Sequence, residues 1–139
     1  VRLTSFTDYG LRTLMRLAGE PGRSFTTAEI AREFDISRHH LTKVVLALGR
    51  AGFIVTQRGT GGGFRLARDP AEVTLGAVVR VLEEGQALVD CFRPDGGDCV
   101  LLPACGLKPR LARAREAFLA DLDRTTLAEC RYRPAGPAA

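Results

Sequence analysis

The sequence predicts a mainly α chain with a small β-hairpin, arranged as a winged helix-turn-helix plus a long dimerisation helix. Three observations carry that expectation. Residues 5–52 hold three amphipathic stretches, each opened by a capping residue. Residues 53–67 hold two alternating stretches around a glycine-rich turn. Residues 107–129 repeat Leu107, Leu111, Ala114, Phe118 and Leu122 at spacings of 4, 3, 4 and 4, a helical packing seam.

Taken in order, the first helix spans Ser5 to Ala18, with Ser5 as the expected N-cap, Asp8 in the first turn and Leu11, Leu14, Met15 and Leu17 at helical spacing. Thr26 and Glu29 form a capping box that opens a second, short helix through Ala28, Ile30, Ala31 and Phe34. A tight turn at Asp35 and Ile36 follows. Ser37 then caps a third helix that turns Leu41, Val44, Val45 and Leu48 inward and ends at Gly52, suited to left-handed backbone. Phe53–Arg58 and Phe64–Ala67 alternate as strands about Gly59–Gly63, which makes a β-hairpin wing. Glycine-rich loops also cradle phosphates, but this one carries no following Lys-Ser or Lys-Thr and leads into a strand.

Beyond residue 70, Thr74–Glu83 reads as a connecting helix within residues 71–90, with Leu75, Val78, Val79 and Leu82 inward. Residues 91–106 form a cysteine-bearing loop, 107–130 the dimerisation helix starting around Pro109, and 131–139 a disordered tail. At 1.5 Å per residue that helix is about 34 Å long, comparable to one DNA turn. Its first half is basic (Lys108, Arg110, Arg113, Arg115) and its second mostly acidic (Glu116, Asp121, Asp123, Glu129). Both ends oppose the helix dipole, so an outside partner should compensate: an antiparallel copy, an anionic cluster near the basic start, or both.

Composition narrows the function. The 139 residues are 45% hydrophobic and 26% charged, enough for one folded domain and too short for most multi-domain enzymes. The longest apolar run, Val44–Leu48, is far short of a membrane span, and Arg12 and Arg16 interrupt any leader-like stretch at the start. A cytoplasmic, reducing setting is expected, with no membrane partner. No serine or cysteine is placed with an acid-base partner, so an enzyme is not expected.

The net charge is +4, and it is unevenly spread: residues 1–70 hold eleven Lys and Arg against six acids, and 71–139 hold nine against ten. Ile36–Arg68 contains six cations and no Asp or Glu. Such a run is ordinarily just a solvated face, so position decides. Here it falls on the third helix and the wing, the parts of a winged helix that meet double-stranded DNA. Arg38, His39, His40 and Thr42 sit at the start of the helix, where side chains reach base edges; Lys43 and Arg50 suit phosphates. Arg58 and Arg65 flank the wing turn and suit a minor groove or the backbone. His39 and His40 point about 100° apart on a helix and do not suit one shared ion.

Three of the four cysteines, Cys91, Cys99 and Cys105, lie in a Gly-, Pro- and Asp-rich loop with the pattern C-x7-C-x5-C. Spacing alone leaves an iron-sulfur cluster, a structural zinc, or a redox disulfide with a spare thiol. Paired C-x2-C knuckles are missing, and Cys130 stands apart as a small semi-buried residue.

LTSFTDYGLRTL, SRHHLTKVV, RGTGGGFRLA and a cysteine loop ending PACGL occur in the order found in the winged-helix iron-sulfur transcription regulators. The chain resembles that family over nearly its whole length, and most resembles its nitric oxide-sensing repressors. The resemblance implies a homodimeric repressor of a palindromic operator that releases DNA when nitric oxide reacts with an oxygen-labile cluster. It further implies that Cys91, Cys99 and Cys105 ligate a 4Fe-4S cluster, 2Fe-2S forms occurring among relatives, and that Asp8 reaches across from the other subunit as fourth ligand. Without the resemblance, Asp8 reads as a helix-dipole partner. Lys108 stands where another branch of the family has a histidine three residues after the last cysteine, and the C-x7 spacing is longer than expected of the nitric oxide-sensing branch. The alternative is a winged-helix regulator whose cysteines bind zinc or sense redox state by disulfide formation.

Overall fold

The computed structural model describes residues 1–60 and 62–135. Helix α1 (Ser5–Gly19) starts one residue earlier than its expected cap: Thr4 is the extended N-cap, its hydroxyl accepting from the Thr7 N–H, and Ser5 is already helical. Helix α2 (Thr27–Phe34) opens with the expected capping box, Thr26 Oγ1 accepting the Glu29 N–H at 3.1 Å and the Glu29 carboxylate the Thr26 N–H at 2.7 Å. The turn into α3 (Arg38–Arg50) places Asp35 in left-handed backbone, and Ser37 caps α3. Gly52 takes φ +82°, which a side chain would resist, and lets the chain leave α3 for the wing.

Strands β1 (Ile54–Gln57) and β2 (Gly63–Leu66) pair antiparallel, with Ile54 opposite Leu66 and Gln57 opposite Gly63. Gly61, in the wing turn, lies outside the described residues. A bridge between Phe25 and Phe64 ties the wing to the segment before α2. Helix α4 (Leu75–Leu82), capped by Thr74, packs on α1.

Leu14, Leu17, Ile30, Leu41, Val44, Leu48, Phe64, Val73, Val78 and Leu127 belong to one buried cluster. The core therefore runs past residue 70, where only the charge changes. Arg16 is also buried: it bonds Glu20 and Glu33 and lies over the Phe25 ring at 4.7 Å. A charge survives there because both carboxylates and an aromatic face replace its water.

The C-terminal third departs furthest from expectation. Helix α5 spans Leu107–Leu122, 16 residues and about 24 Å, not the expected 34 Å. It stops because Thr126 and Glu129 form a second capping box, which opens a separate 3-10 turn, Leu127–Cys130. Leu127 is fully buried, its N–H donates to the Val73 carbonyl, and Thr126 bridges Thr74. At the acidic end of α5, Arg80 of α4 bonds Asp123 and supplies part of the missing countercharge. Residues 131–135, expected to be loose, include Tyr132, whose N–H bonds the Met15 carbonyl at 2.9 Å; the other tail residues, 136–139, lie outside the described residues. No described helix is long and apolar enough to cross a membrane.

Candidate nucleic-acid interface and cysteine loop

Burying Leu41, Val44, Val45 and Leu48 turns the opposite side of α3 outward, and Arg38, His39, Thr42, Lys43 and Arg50 are exposed on it. His40 differs. It is half-buried, edge-on to the Tyr9 ring at 5.0 Å and 6.4 Å from Phe6, so it fastens the start of α3 to α1. Thr42 donates its hydroxyl to the Arg38 carbonyl at 2.8 Å. On the wing, Arg58 and Arg65 are exposed, Arg65 standing opposite Val55.

Charge pairing separates this face from α1 and the turn that follows it. Among the described residues, none of Arg38, Lys43, Arg50, Arg58, Arg65 and Arg68 makes a salt bridge, whereas Arg12, Arg16 and Arg23 on the neighbouring elements all do. Burial opposes the charge on Arg16, but the hydrogen bonds it donates to Glu20 and Glu33 outweigh it and hold its pKa above the ordinary value. The hydrogen bond from Arg16 in turn holds Glu20 below its usual range. The unpaired cations of α3 and the wing form a field of one sign, suited to a polyanion.

The cysteine loop has a different character. Cys91 lies in a short 3-10 turn, Asp90–Phe92, and Arg93 bonds both Asp90 and Asp95. Gly97 has φ +64°, and a Cβ there would stand 2.6 Å from the Asp90 carbonyl oxygen, so glycine alone lets the chain double back beside Cys91. Cys91, Cys99, Cys105 and Cys130 are all free and half-exposed. The three loop thiols fit an iron-sulfur cluster as donors, being soft, unoxidised and carried on a chain that folds back on itself. They are not gathered for ligation: among the described residues no three His, Cys, Asp or Glu side chains are placed to hold one metal ion. Asp8 is half-exposed and bonded to Arg12 at 2.8 Å.

The structure leaves the DNA-facing candidates exposed on α3 and the wing, except His40, and among the described residues does not gather the cysteines and Asp8 into a group that could hold one metal ion. Sequence reading missed two positioning residues, Arg12 on Asp8 and Tyr9 under His40. The i, i+4 spacing of Asp8 and Arg12 was an available signal; the Tyr9 contact, made across two helices, was not.

A helix-turn-helix with a two-stranded wing, and with an acid-free cationic surface along its second helix and the wing, defines a winged-helix transcription regulator that binds DNA. The chain belongs to the Rrf2 family, described as iron-dependent transcriptional regulators, which it matches over residues 3–131. The HTH-type transcriptional regulator NsrR of Geobacillus kaustophilus is 48% identical over 130 residues, covering 93% of this chain and 88% of that protein. NsrR of Bacillus subtilis is 45% identical over 128 residues, covering 91% and 88%. Among solved structures, CymR (YrzC), the global cysteine regulator of B. subtilis, superposes with a TM-score of 0.72 at 30% identity, covering 93% of this chain and 95% of that one. IscR of T. potens gives 0.71 at 25% identity, covering 93% and 85%. These are regulators of transcription, so the chain is not an enzyme, as its sequence suggested.

Proposed function

We propose that the chain is a cytoplasmic, homodimeric repressor that binds a palindromic operator and releases it in response to nitric oxide, sensed through an oxygen-labile iron-sulfur cluster. The observation that carries this reading is the set of three free, half-exposed thiols on the 90–106 loop, in a chain 48% identical to a protein named NsrR. Cys91, Cys99 and Cys105 would hold a 4Fe-4S cluster, or its 2Fe-2S alternative, with Asp8 of a second subunit as fourth ligand. When bound, the cluster supplies iron that reacts with nitric oxide. For its part, Asp8 must exchange Arg12 for that role. Because α1 carries both Asp8 and the Tyr9 ring that seats His40, a shift of α1 bears directly on the start of α3.

Dimerisation is supported by α5, none of whose residues is buried although Leu111, Phe118 and Leu122 repeat along it. An antiparallel copy would cover that seam and set a basic half against an acidic one. Arg38, His39, Thr42, Lys43 and Arg50 from α3, and Arg58 and Arg65 from the wing, would then meet the duplex twice, once in each half-site.

The test is iron and sulfide content with a visible spectrum on anaerobically purified protein, before and after stoichiometric nitric oxide, alongside operator binding. Iron and sulfide near cluster stoichiometry, with loss of operator binding on nitric oxide, are expected. Zinc without sulfide, or operator binding governed by disulfide formation, would overturn the cluster and establish the zinc or redox alternative.

A further inference from the structure

One side chain on the cationic face of α3 is not explained by charge. Leu46 is 53% exposed, although the buried seam of α3 is complete without it. At about 100° per residue, Arg38, Thr42, Leu46, His39, Arg50 and Lys43 follow one another around an arc of about 140°, with Leu46 near the middle. One turn earlier, Thr42 gives its hydroxyl hydrogen to the Arg38 carbonyl at 2.8 Å, so it has no hydrogen to donate to a partner and offers its γ-methyl beside Leu46. One turn later, Gly49 adds no side chain, and only Ile54 comes within 4.0 Å of where a Cβ would stand. Thr42 and Leu46 therefore form an apolar stripe framed by Arg38, His39, Lys43 and Arg50, inside a run without a single acid.

An apolar stripe in a cationic frame matches the major groove of duplex DNA. The cations answer the phosphates, and the apolar group displayed on the groove floor is the 5-methyl of thymine. We infer that Leu46, together with the Thr42 methyl, reads thymine through that methyl, so that an A·T pair at the position facing Leu46 helps to specify each half-site. This rests on the DNA-binding reading above and adds to it one residue and one base.

The experiment uses the full chain, purified without oxygen, to select its preferred duplex from a randomised pool. Each thymine of the selected site is then replaced singly by deoxyuridine, which removes the methyl and nothing else. At one position in each half-site, uracil should weaken binding about three- to fivefold, the scale of one buried methyl group. Leu46→Ala, an exposed substitution whose melting temperature should match the parent, should bind thymine and uracil equally there and keep the parent's salt dependence. Uniform indifference to uracil, or an unchanged thymine preference in Leu46→Ala, would overturn the inference while leaving salt-dependent binding, and so the DNA reading, intact. Failure to select any duplex would overturn the DNA reading and this inference with it.

Discussion

The winged-helix part of the molecule and the cysteine loop with α5 spend their apolar residues in opposite ways. In the first, Leu14, Leu17, Ile30, Leu41, Val44 and Leu48 are wholly buried and the elements close on each other. In the second, Val100, Leu101 and Leu107 are 94%, 62% and 58% exposed, and α5 buries none of its residues. The first part is buried in a core that Val73, Val78 and Leu127 help to close. Surface left open to this extent in the second is the mark of a part whose binding energy is realised with something else.

That contrast is most directly broken or confirmed by paired substitutions. Leu41→Ala, in the core behind the DNA-facing surface, should cost about 2–5 kcal/mol in denaturant unfolding. Leu107→Ala should change the stability of the dilute chain by about 0.5 kcal/mol or less, and act on self-association measured by sedimentation. Equal costs at the two sites would erase the distinction.

A smaller effect probes the winged part alone. Replacing Thr26 by Ala removes a capping box and should cost about 1 kcal/mol. The same site sets an acid limit. The Thr26 backbone N–H holds the Glu29 carboxyl below its usual 4.5, and the Arg16 guanidinium does the same for Glu20. Both groups release protons more easily when folded, so the stability they give is complete above pH 4.5 and is lost as pH falls through their lowered native values. Melting temperature against pH should show that acid limb, and Glu29→Gln, which removes one of the two titrating carboxyls, should flatten it.

The smallest change in stability is expected at the loop. Cys91→Ser should leave the melting temperature of the metal-free chain unchanged while abolishing iron and sulfide retention. A large drop in melting temperature would mean that the thiol has a packing role.

Legibility in the sequence followed the same division. The three helices and the wing announced themselves because their caps are local and their apolar faces repeat at the period of the element they form. What escaped depended on distant partners. Arg16 looks like a surface residue until Glu33, on another helix, is placed beside it, and His40 looks like a base reader until Tyr9 is. The end of α5 was legible in principle, since Thr126-Leu127-Ala128-Glu129 spells a capping box, but Leu127 supplies a further apolar residue past the break. Ser5 and Thr4 are adjacent hydroxyls, a choice settled only by backbone angles. For the cysteines the sequence showed donors, and donors alone do not fix a geometry.

The return of Leu127 and Tyr132 to the α1 and Val73 surface has a practical corollary. In topological terms, the cysteine loop and α5 are an insertion within the winged domain, which is stitched shut by the last turns of the chain. The reading head cannot be harvested by truncation: a fragment ending near residue 90 lacks Leu127 and would expose a hole in its hydrophobic floor. A single proteolytic nick in the loop, by contrast, should leave two pieces that stay together until they are denatured.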